Sequence, residues 1–332
     1  MSRIPHVRRA LFIRTDRLGE TLLNLPAVAA LKHALPNASL TLLVQSELAP
    51  LVADAPGVDG VLTYDDMPRW PWWRRAIHLG RRLRPHRFDV VVVSNPKKEL
   101  HLAAWVAGIP RRVGYGRKWG WLLTDRLQDR KALGERHEVE YNLELIQALG
   151  LPTGASEWQF PRFTREQAEV LQLLERLGIG ASKPFIAVHP WTSNPVKAWP
   201  ADRYQALMQR VVERLGVPVA LIGGPEEVLS APSLLLEARA VANVVGQLSL
   251  KQLAALLQRA RCLVSNDSGP VHLAAAVKTK TLVLFGATSA ATGPARWGPW
   301  GNDHVVIWKP SMDAITVDEV FAALSKIIAP NG

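Results

Sequence analysis

The sequence predicts an α/β fold of two Rossmann-like domains that face each other across a cleft. Short apolar runs alternate with amphipathic stretches in two successive series, which indicates βαβ units and parallel sheets. Residues 150–165 hold two prolines and two glycines and separate the two series as an interdomain linker. A length of 332 residues suits two domains, residues 1–160 and 161–332.

The first series begins with a strand over residues 8–14 and a helix from about Thr21. Leucines and Val28 recur in that helix near helical spacing. The run DVVVVS holds four consecutive valines, as expected of a strand buried on both faces. The other predicted strands are SLTLLVQ, GVLTY and RRVGYG, and the other predicted helices are SELAPLVADAP, RWPWWRRAIHLGRRLRPHRF and KKELHLAAWVAG.

The second series repeats this alternation. Its predicted strands are PFIAVHP, VPVALIGG, ANVV, RCLVSN, TLVLFG and HVVIW, and its helices include residues 202–215 and SLKQLAALLQRA. Thr164 with Gln167 has the spacing of a capping box and predicts the start of a helix. Thr316 with Glu319 repeats that spacing before the last helix, which is also a candidate to pack back on the first domain.

Composition limits the classes of function. The formal net charge of +11 indicates an anionic partner, which could be nucleic acid, acidic lipid headgroups or a phosphorylated substrate. The single cysteine, Cys262, excludes a disulfide framework and a thiol metal site, and the histidines lack HExxH-type spacing. No apolar run is long enough to span a bilayer and the first residues do not resemble a secretory signal, so we expect a cytoplasmic protein.

The stretch SNDSGPVHLAAA, residues 265–276, joins a predicted strand to a helix of small residues. Ligands bind at such strand ends in open α/β sheets, and the helix N-terminus favours a phosphate there. Asp267, Ser268 and Gly269 are therefore candidate phosphate-binding residues. The alternative is that Asp267 and Ser268 only cap the helix. His272, one turn further on, fits either a structural or a binding role.

Three more polar loops follow predicted strands of the second half. Hydroxyl and lysine side chains in HPWTSNPVKAWP could bind a diphosphate, and acids in GGPEE could bind ribose hydroxyls. The loop GATSAATGPARWGPWG is of the kind that lines ligand clefts. Each loop could instead be an ordinary polar connection, and the acids could simply start a helix. The candidate residues are Thr192, Ser193, Lys197, Glu226, Glu227 and Arg296.

In the first half, the loop TDRLGE ends with Gly19 and Glu20 at the start of a helix. A carboxylate there could act as a general base, or it could only interact favourably with the helix dipole. Asp16 is a nearby alternative for the same role, although it fits better as a cap or as a group that orients another residue. No GxGxxG sequence follows this strand, which argues against a nicotinamide enzyme.

Residues 69–87 hold seven arginines, three tryptophans and no acid. This composition fits a phosphorylated glycolipid at a membrane surface, base stacking on a nucleic acid, or a solvated basic helix whose tryptophans are core. The sequence RRVGYGRK at 111–118 adds four more cations. The candidate residues for binding such a partner are Arg69, Arg74, Arg75, Arg117 and Lys118.

Several segments, in order, resemble the ADP-heptose:lipopolysaccharide heptosyltransferases, glycosyltransferase family 9. They are TDRLGETLLNLPAVAALK, HPWTSNPVKAWP, GGPEE, SNDSGPVHLAAA and FGATSAATGPARWGPWG. The resemblance covers nearly the whole chain and is weakest between about residues 120 and 180. It implies a GT-B fold and an inverting transfer that needs neither a metal nor another cofactor. The implied donor, ADP-heptose, would bind mainly to the second domain.

The resemblance also implies roles for the candidate residues. The diphosphate and sugar would be contacted by Asp267, Ser268, Gly269 and His272. The phosphates would also be bound by Thr192, Ser193 and Lys197. The ribose would lie near Glu226 or Glu227. The carboxylate after Gly19 would be the base, although many members have Asp where this chain has Glu20, so Asp16 stays an alternative.

The implied acceptor is the phosphorylated inner core of lipopolysaccharide, which would bind to Arg69, Arg74, Arg75, Arg117 and Lys118. The enzyme would be a monomer at the cytoplasmic face of the inner membrane, and no nucleic acid would be involved. The competing hypotheses are an epimerase-like nucleotide-sugar enzyme of GT-B architecture and a basic nucleic-acid-binding protein.

Overall fold

Two parallel sheets organise the chain. The computed structural model describes residues 7–64, 69–154, 160–180, 183–234, 240–286 and 289–329. Within these ranges the strands are β1 Arg9–Ile13, β2 Ser39–Val44, β3 Gly60–Thr63, β4 Val90–Val93, β5 Arg111–Tyr115, β6 Asp125–Leu127, β7 Ile186–His189, β8 Val219–Leu221, β9 Val241–Asn243, β10 Leu263–Asn266, β11 Thr281–Phe285 and β12 Val305–Trp308.

α-Helices lie between most pairs of successive strands in both sheets. They are α1 Leu18–Leu22, α2 Leu25–Ala34, α3 Ala49–Val52, α4 Trp72–Leu83, α5 Lys98–Val106, α6 Glu138–Gln147, α7 Thr164–Arg176, α8 Ala201–Leu215, α9 Leu250–Arg259, α10 Gly269–Ala276, α11 Pro294–Trp297 and α12 Val317–Ile328. The predicted α/β class, with parallel strands and intervening helices, is confirmed.

The two sheets have the same topology. The strand order is β3-β2-β1-β4-β5-β6 in the first sheet and β9-β8-β7-β10-β11-β12 in the second. In each sheet the order reverses beside the first strand, so the switch points lie between β1 and β4 and between β7 and β10. Ligands of doubly wound sheets bind outside the strand carboxyl ends at these points. The topology therefore provides two candidate sites.

The chain divides into two compact units between Phe160 and Pro161. The predicted linker overlaps this boundary, but its residues 155–159 lie outside the described part of the chain. In the first unit, β1 and β4 form a core with apolar residues of α4 and α5. In the second unit, β7, β8, β10 and β11 pack with α8 and α12. Val320 and Leu324 of α12 are buried there, so the last helix contributes to the core of its own unit.

Three local predictions differ from the structure. The helix expected from Thr21 starts at Leu18 and is interrupted before α2, because Pro26 has no N–H to donate to the preceding turn. The short polar strand β6 was not predicted; it pairs with β5 at the edge of the first sheet. The prediction of a capping box at Thr164 and Gln167 is wrong, since Thr164 is already helical and Phe163 is the N-cap residue. The Thr316 cap is confirmed by its bond from the Glu319 N–H.

Candidate functional site

A pocket of about 500 Å³ lies at the switch point of the first sheet. It is formed by residues that follow β1, β2 and β4, which are Thr15, Asp16, Arg17, Glu20, Gln45, Glu47 and Lys97. The parallel strands bring these loops to one sheet edge although the chain separates them by as many as 82 positions. Both carboxylates proposed as the base line this pocket.

Asp16 is fixed by positive charge. Its carboxylate forms ion pairs with Arg14 at 3.2 Å and with Lys97 at 3.0 Å, and it accepts a hydrogen bond from Asn95 at 3.0 Å. Burial opposes ionisation of Asp16, but the neighbouring Arg14 and Lys97 charges outweigh that effect and hold the pKa of this carboxyl below its ordinary value. A carboxylate stabilised in its ionised form is a weak proton acceptor.

Glu20 differs from Asp16 in its surroundings. It lies half-buried in the first turn of α1, and its carboxylate has no hydrogen bond or ion pair with any of the described residues. Its lone pairs are therefore available to a ligand in the pocket. Of the two carboxylates, Glu20 has the geometry expected of a general base.

Buried polar groups hold the backbone of Glu20 in place. The Asn24 amide donates to the Glu20 carbonyl at 2.6 Å, and its own oxygen accepts from the Ser94 hydroxyl at 2.5 Å. Asn142 of α6 donates to the Leu23 carbonyl at 3.0 Å. Asn24, Ser94 and Asn142 are buried, so these bonds are protected from water. The break between α1 and α2 is thus fixed by neighbouring elements.

At the switch point of the second sheet, α10 begins without a side-chain cap. Ser268 is the N-cap residue but makes no capping bond. Its hydroxyl lies 3.1 Å from His189 Nδ1 and 2.9 Å from the Ser265 hydroxyl. The capping interpretation is therefore wrong for Ser268. The helix start keeps the partial positive charge that attracts anions.

His189, the last residue of β7, is 7% exposed. Burial lowers the pKa of its imidazole to about 4, so the ring is neutral at physiological pH. A neutral ring can accept a hydrogen bond from a hydroxyl, which an imidazolium cannot. His189 thus engages the Ser268 hydroxyl and diverts it from capping α10.

Lys197 and Asp267 form an ion pair beside the start of α10. The ammonium lies 2.5 Å from the Asp267 carboxylate, and among described residues it donates to no other acceptor. Thr192 joins this cluster through a 3.4 Å bond from its hydroxyl to the Asp267 carbonyl. An ammonium has three N–H donors, so two remain for a ligand. The structure therefore brings Thr192, Lys197, Asp267 and Ser268 together.

The other predicted residues of the second unit surround this cluster less closely. Glu226 and Glu227 follow β8, and both carboxylates fold back over Gly224. Burial, with the neighbouring Glu226 charge, raises the pKa of Glu227. The exposed Ser193 lies in the loop after β7, Gly269 starts α10, and buried His272 lies one turn into that helix. Arg296 donates to the Ala291 carbonyl at 3.0 Å and stacks on Trp297.

The predicted acceptor-binding cations lie in two segments of the first unit. Arg69, Arg74 and Arg75 precede or begin α4, and Arg117 and Lys118 follow β5. Two of them already have partners, since Arg75 pairs with Glu99 at 2.6 Å and Arg117 with Asp129 at 2.8 Å. The alternative in which the tryptophans of this region are core does not hold for Trp70 and Trp73, which are 46% and 44% exposed.

Sequence reasoning missed Lys97, Asn95 and His189. Lys97 and Asn95 stand in SNPKK, directly after the buried strand β4, which was the available signal. His189 ends β7 and carried no signal beyond its position. No helix in the described part of the chain is both long and apolar enough to cross a bilayer. Within the same ranges, no three His, Cys, Asp or Glu side chains are grouped so that they could hold a metal ion.

Two doubly wound units, each with polar and charged side chains at its switch point, define a two-domain α/β protein with candidate ligand sites at the strand ends. The chain belongs to glycosyltransferase family 9 (heptosyltransferase), whose family model matches residues 76–322. It is thus a glycosyltransferase of the heptosyltransferase type, which confirms the resemblance. The match does not include Glu20, so the assignment of a role to Glu20 depends on the geometry of the pocket.

Individual relatives agree with this family. The chain is 23% identical to lipopolysaccharide heptosyltransferase 3 of Escherichia coli K12, over 93% of this chain and 95% of that one. The solved structure of E. coli ADP-heptose lipopolysaccharide heptosyltransferase II superimposes with a TM-score of 0.82 at 23% identity, covering 96% and 98% of the two chains. The solved structure of E. coli heptosyltransferase WaaC with ADP-2-deoxy-2-fluoro heptose gives a TM-score of 0.71 at 20% identity. The match covers 96% of this chain and 99% of that one. These likenesses establish the GT-B fold.

Proposed function

We propose that this enzyme transfers a heptose from an ADP-sugar to the phosphorylated inner core of lipopolysaccharide, with inversion and with neither a metal nor another cofactor. The observation that carries the proposal is the contrast between two sites: the Glu20 carboxylate has no partner among the described residues, whereas the Lys197 ammonium lies beside the uncapped start of α10. The ADP-sugar analogue bound by the WaaC relative supports the choice of donor.

In this proposal the second unit binds the donor. The diphosphate binds to the start of α10, at Ser268 and Gly269, and to the Lys197 ammonium. Each of these two sites presents N–H donors and positive charge to the phosphate oxygens. Asp267 is a carboxylate and would repel phosphate, so its role is to orient Lys197. The remaining donor contacts are assigned to Thr192, Ser193, His272 and Arg296, with Glu226 or Glu227 at the ribose.

The first unit supplies the base. Glu20 accepts the proton of an acceptor hydroxyl while that oxygen forms a bond to the anomeric carbon. The bond from this carbon to the diphosphate oxygen breaks, and its electrons leave with the diphosphate. Attack on the face opposite the leaving group inverts the anomeric centre. Lys197 and the α10 start stabilise the negative charge that develops on the leaving group.

Asp16 has a positioning role in this mechanism. Its ion pair with Lys97 holds an ammonium in the pocket that Glu20 also lines. The phosphorylated acceptor would meet Lys97 together with Arg69, Arg74, Arg75, Arg117 and Lys118. We further propose that the enzyme is a monomer that works at the cytoplasmic face of the inner membrane.

The family match favours this function over the two competing hypotheses. An epimerase would require no acceptor and no exposed basic, tryptophan-rich segment. A nucleic-acid-binding protein would give no function to a carboxylate such as Glu20.

The test is incubation of the protein with ADP-heptose and deacylated, phosphorylated lipopolysaccharide core, in the presence and absence of a chelator. We expect ADP release that requires both substrates, a product anomer opposite to that of the donor, and no effect of the chelator. Release of ADP with retained configuration would overturn the inverting mechanism. No release with any core acceptor would overturn the proposed function, and salt-sensitive binding to DNA or RNA would then favour the alternative.

A further inference from the structure

Three tryptophans from two segments of the first unit form one cluster at the surface. Trp72 begins α4, whereas Trp119 and Trp121 lie in the loop between β5 and β6. The Trp72 and Trp119 rings meet edge to face with centroids 5.0 Å apart, and Trp121 lies 5.8 Å from Trp119. Trp119 is 40% exposed and Trp121 66% exposed. We call Trp72, Trp119 and Trp121 the tryptophan surface.

The loop that presents this surface is held in an unusual conformation. Lys118 and Trp119 both have left-handed backbone angles, with φ of +44° and +70°, which residues other than glycine rarely adopt. His101 of α5 is buried, and its Nδ1 lies 3.1 Å from the Lys118 carbonyl. Burial lowers the pKa of His101, so a neutral ring donates this bond. The exposed tryptophans are thus held outward by buried structure.

The two helices beneath the surface are also joined. Arg75, in the first turn of α4, pairs with the buried Glu99 in the first turn of α5 at 2.6 Å. Lys98, between Glu99 and the pocket residue Lys97, places its ammonium 4.1 Å from the centre of the Trp72 ring. The tryptophan surface therefore adjoins the pocket that contains Glu20.

Cations surround these rings. Besides Lys98, exposed Arg117 and Lys118 precede Trp119 in the loop, and Arg74 stacks on the exposed Trp73 at 5.1 Å. Tryptophan favours the boundary between lipid headgroups and hydrocarbon, where its ring is apolar and its N–H is hydrated. Lysine and arginine beside it favour anionic headgroups. This combination matches the chemistry of an anionic bilayer surface.

We propose that the tryptophan surface inserts into the interfacial layer of an anionic lipid bilayer. Insertion holds the Glu20 pocket at the level where a lipid-linked acceptor presents its sugars. The inference deepens the proposed membrane contact and rests on it. The vesicle assay contains neither donor nor acceptor, so its failure would leave the transfer reaction untouched.

The experiment is sedimentation of the full-length protein with vesicles of phosphatidylcholine alone or mixed with phosphatidylglycerol. We expect binding to the mixed vesicles and much weaker binding to phosphatidylcholine. Trp121→Ala should weaken binding roughly tenfold, and Lys98→Ala about fivefold. The matched control is Trp308→Ala, which removes a tryptophan that is 60% exposed on β12 of the second unit and should change nothing.

A second measurement needs no variant. Brominated lipids quench tryptophans within the interface, so vesicles that contain them should reduce the fluorescence of the wild-type protein. The proposal is overturned if the protein stays in the supernatant with mixed vesicles, or if Trp121→Ala and Trp308→Ala behave alike. If Trp121→Ala raises KM equally for a soluble deacylated acceptor and for a vesicle-embedded one, the surface binds sugar rings and the membrane assignment is wrong.

Discussion

The two α/β units share one topology but differ in the side chains at their switch points. In the first unit the helix after the first strand has an acid, Glu20, in its first turn. In the second unit α10 has no acid in its first turn and no side-chain cap, and Lys197 lies beside it. An acid at a helix start disfavours a bound anion, whereas an uncapped start favours one. The same scaffold can therefore provide a proton acceptor in one unit and an anion site in the other.

The largest expected effect comes from removing the acid of the first unit. Glu20→Gln keeps the size of the side chain but leaves no carboxylate to accept a proton, so kcat should fall about a thousandfold. Steady-state measurement of ADP release checks this. Asp16→Asn serves as the comparison, and we expect it to act mainly through KM because Asp16 positions Lys97. If Asp16→Asn loses more kcat than Glu20→Gln, the two carboxylates have been assigned in the wrong order.

The next effect concerns the buried histidine of the second unit. The pKa of His189 is about 4 when folded and about 6.5 when unfolded, so the unfolded chain binds the proton more tightly. The free energy of unfolding should therefore drop as the pH falls from about 6.5 to 4, by about 3 kcal/mol from this group alone. Urea unfolding of wild type and His189→Asn at several pH values measures this contribution. An unchanged pH dependence in the variant would contradict the burial argument.

A somewhat smaller effect is expected at the lysine of the second unit. Lys197→Ala removes the charge that we propose stabilises the leaving diphosphate, so kcat should fall about a hundredfold. Lys309→Ala is the matched control, because Lys309 also forms an ion pair, at 2.9 Å with Glu319, but lies after the edge strand β12. We expect normal turnover for the control. Equal losses in both variants would mean that Lys197 acts only on stability.

The smallest effect separates two threonines at helix starts. Thr316 caps α12, so Thr316→Ala should lower the free energy of unfolding by about 1 kcal/mol. Thr164 lies inside the first turn of α7 and makes no capping bond, so Thr164→Ala should change the free energy of unfolding by less than about 0.5 kcal/mol. Thermal or urea unfolding distinguishes these outcomes, and an equal loss in both variants would show that sequence spacing had located the caps better than the structure does.

Most of the fold could be predicted from the sequence because a buried parallel strand appears in the sequence as a short run of apolar residues. DVVVVS became β4, and four polar loops of the second half were placed at the correct edge of one sheet. The strand β6 was not predicted because its sequence, DRL, is short and polar. The capping box at Thr164 failed because the spacing of two residues does not determine where helical backbone begins.

The candidate site was predicted only in part, for a different reason. Asp16 and Glu20 are four positions apart, and no pattern distinguishes their roles. The difference lies in contacts with Arg14 and Lys97, and Lys97 is brought to the site only by the pairing of β1 with β4. In the same way, the hydroxyl of Ser268 is directed by His189, which is distant in sequence. Side-chain partners across strands are set by the fold.

The division of roles between the units is tested most directly by calorimetric titration of ADP into the wild-type protein, Glu20→Gln and Lys197→Ala. The account predicts that Glu20→Gln binds ADP as the wild type does although its turnover is lost. Lys197→Ala should bind ADP roughly thirtyfold more weakly, since it lacks one charge-assisted contact to phosphate. The account is contradicted if Glu20→Gln weakens ADP binding as much as Lys197→Ala, or if Lys197→Ala binds ADP normally.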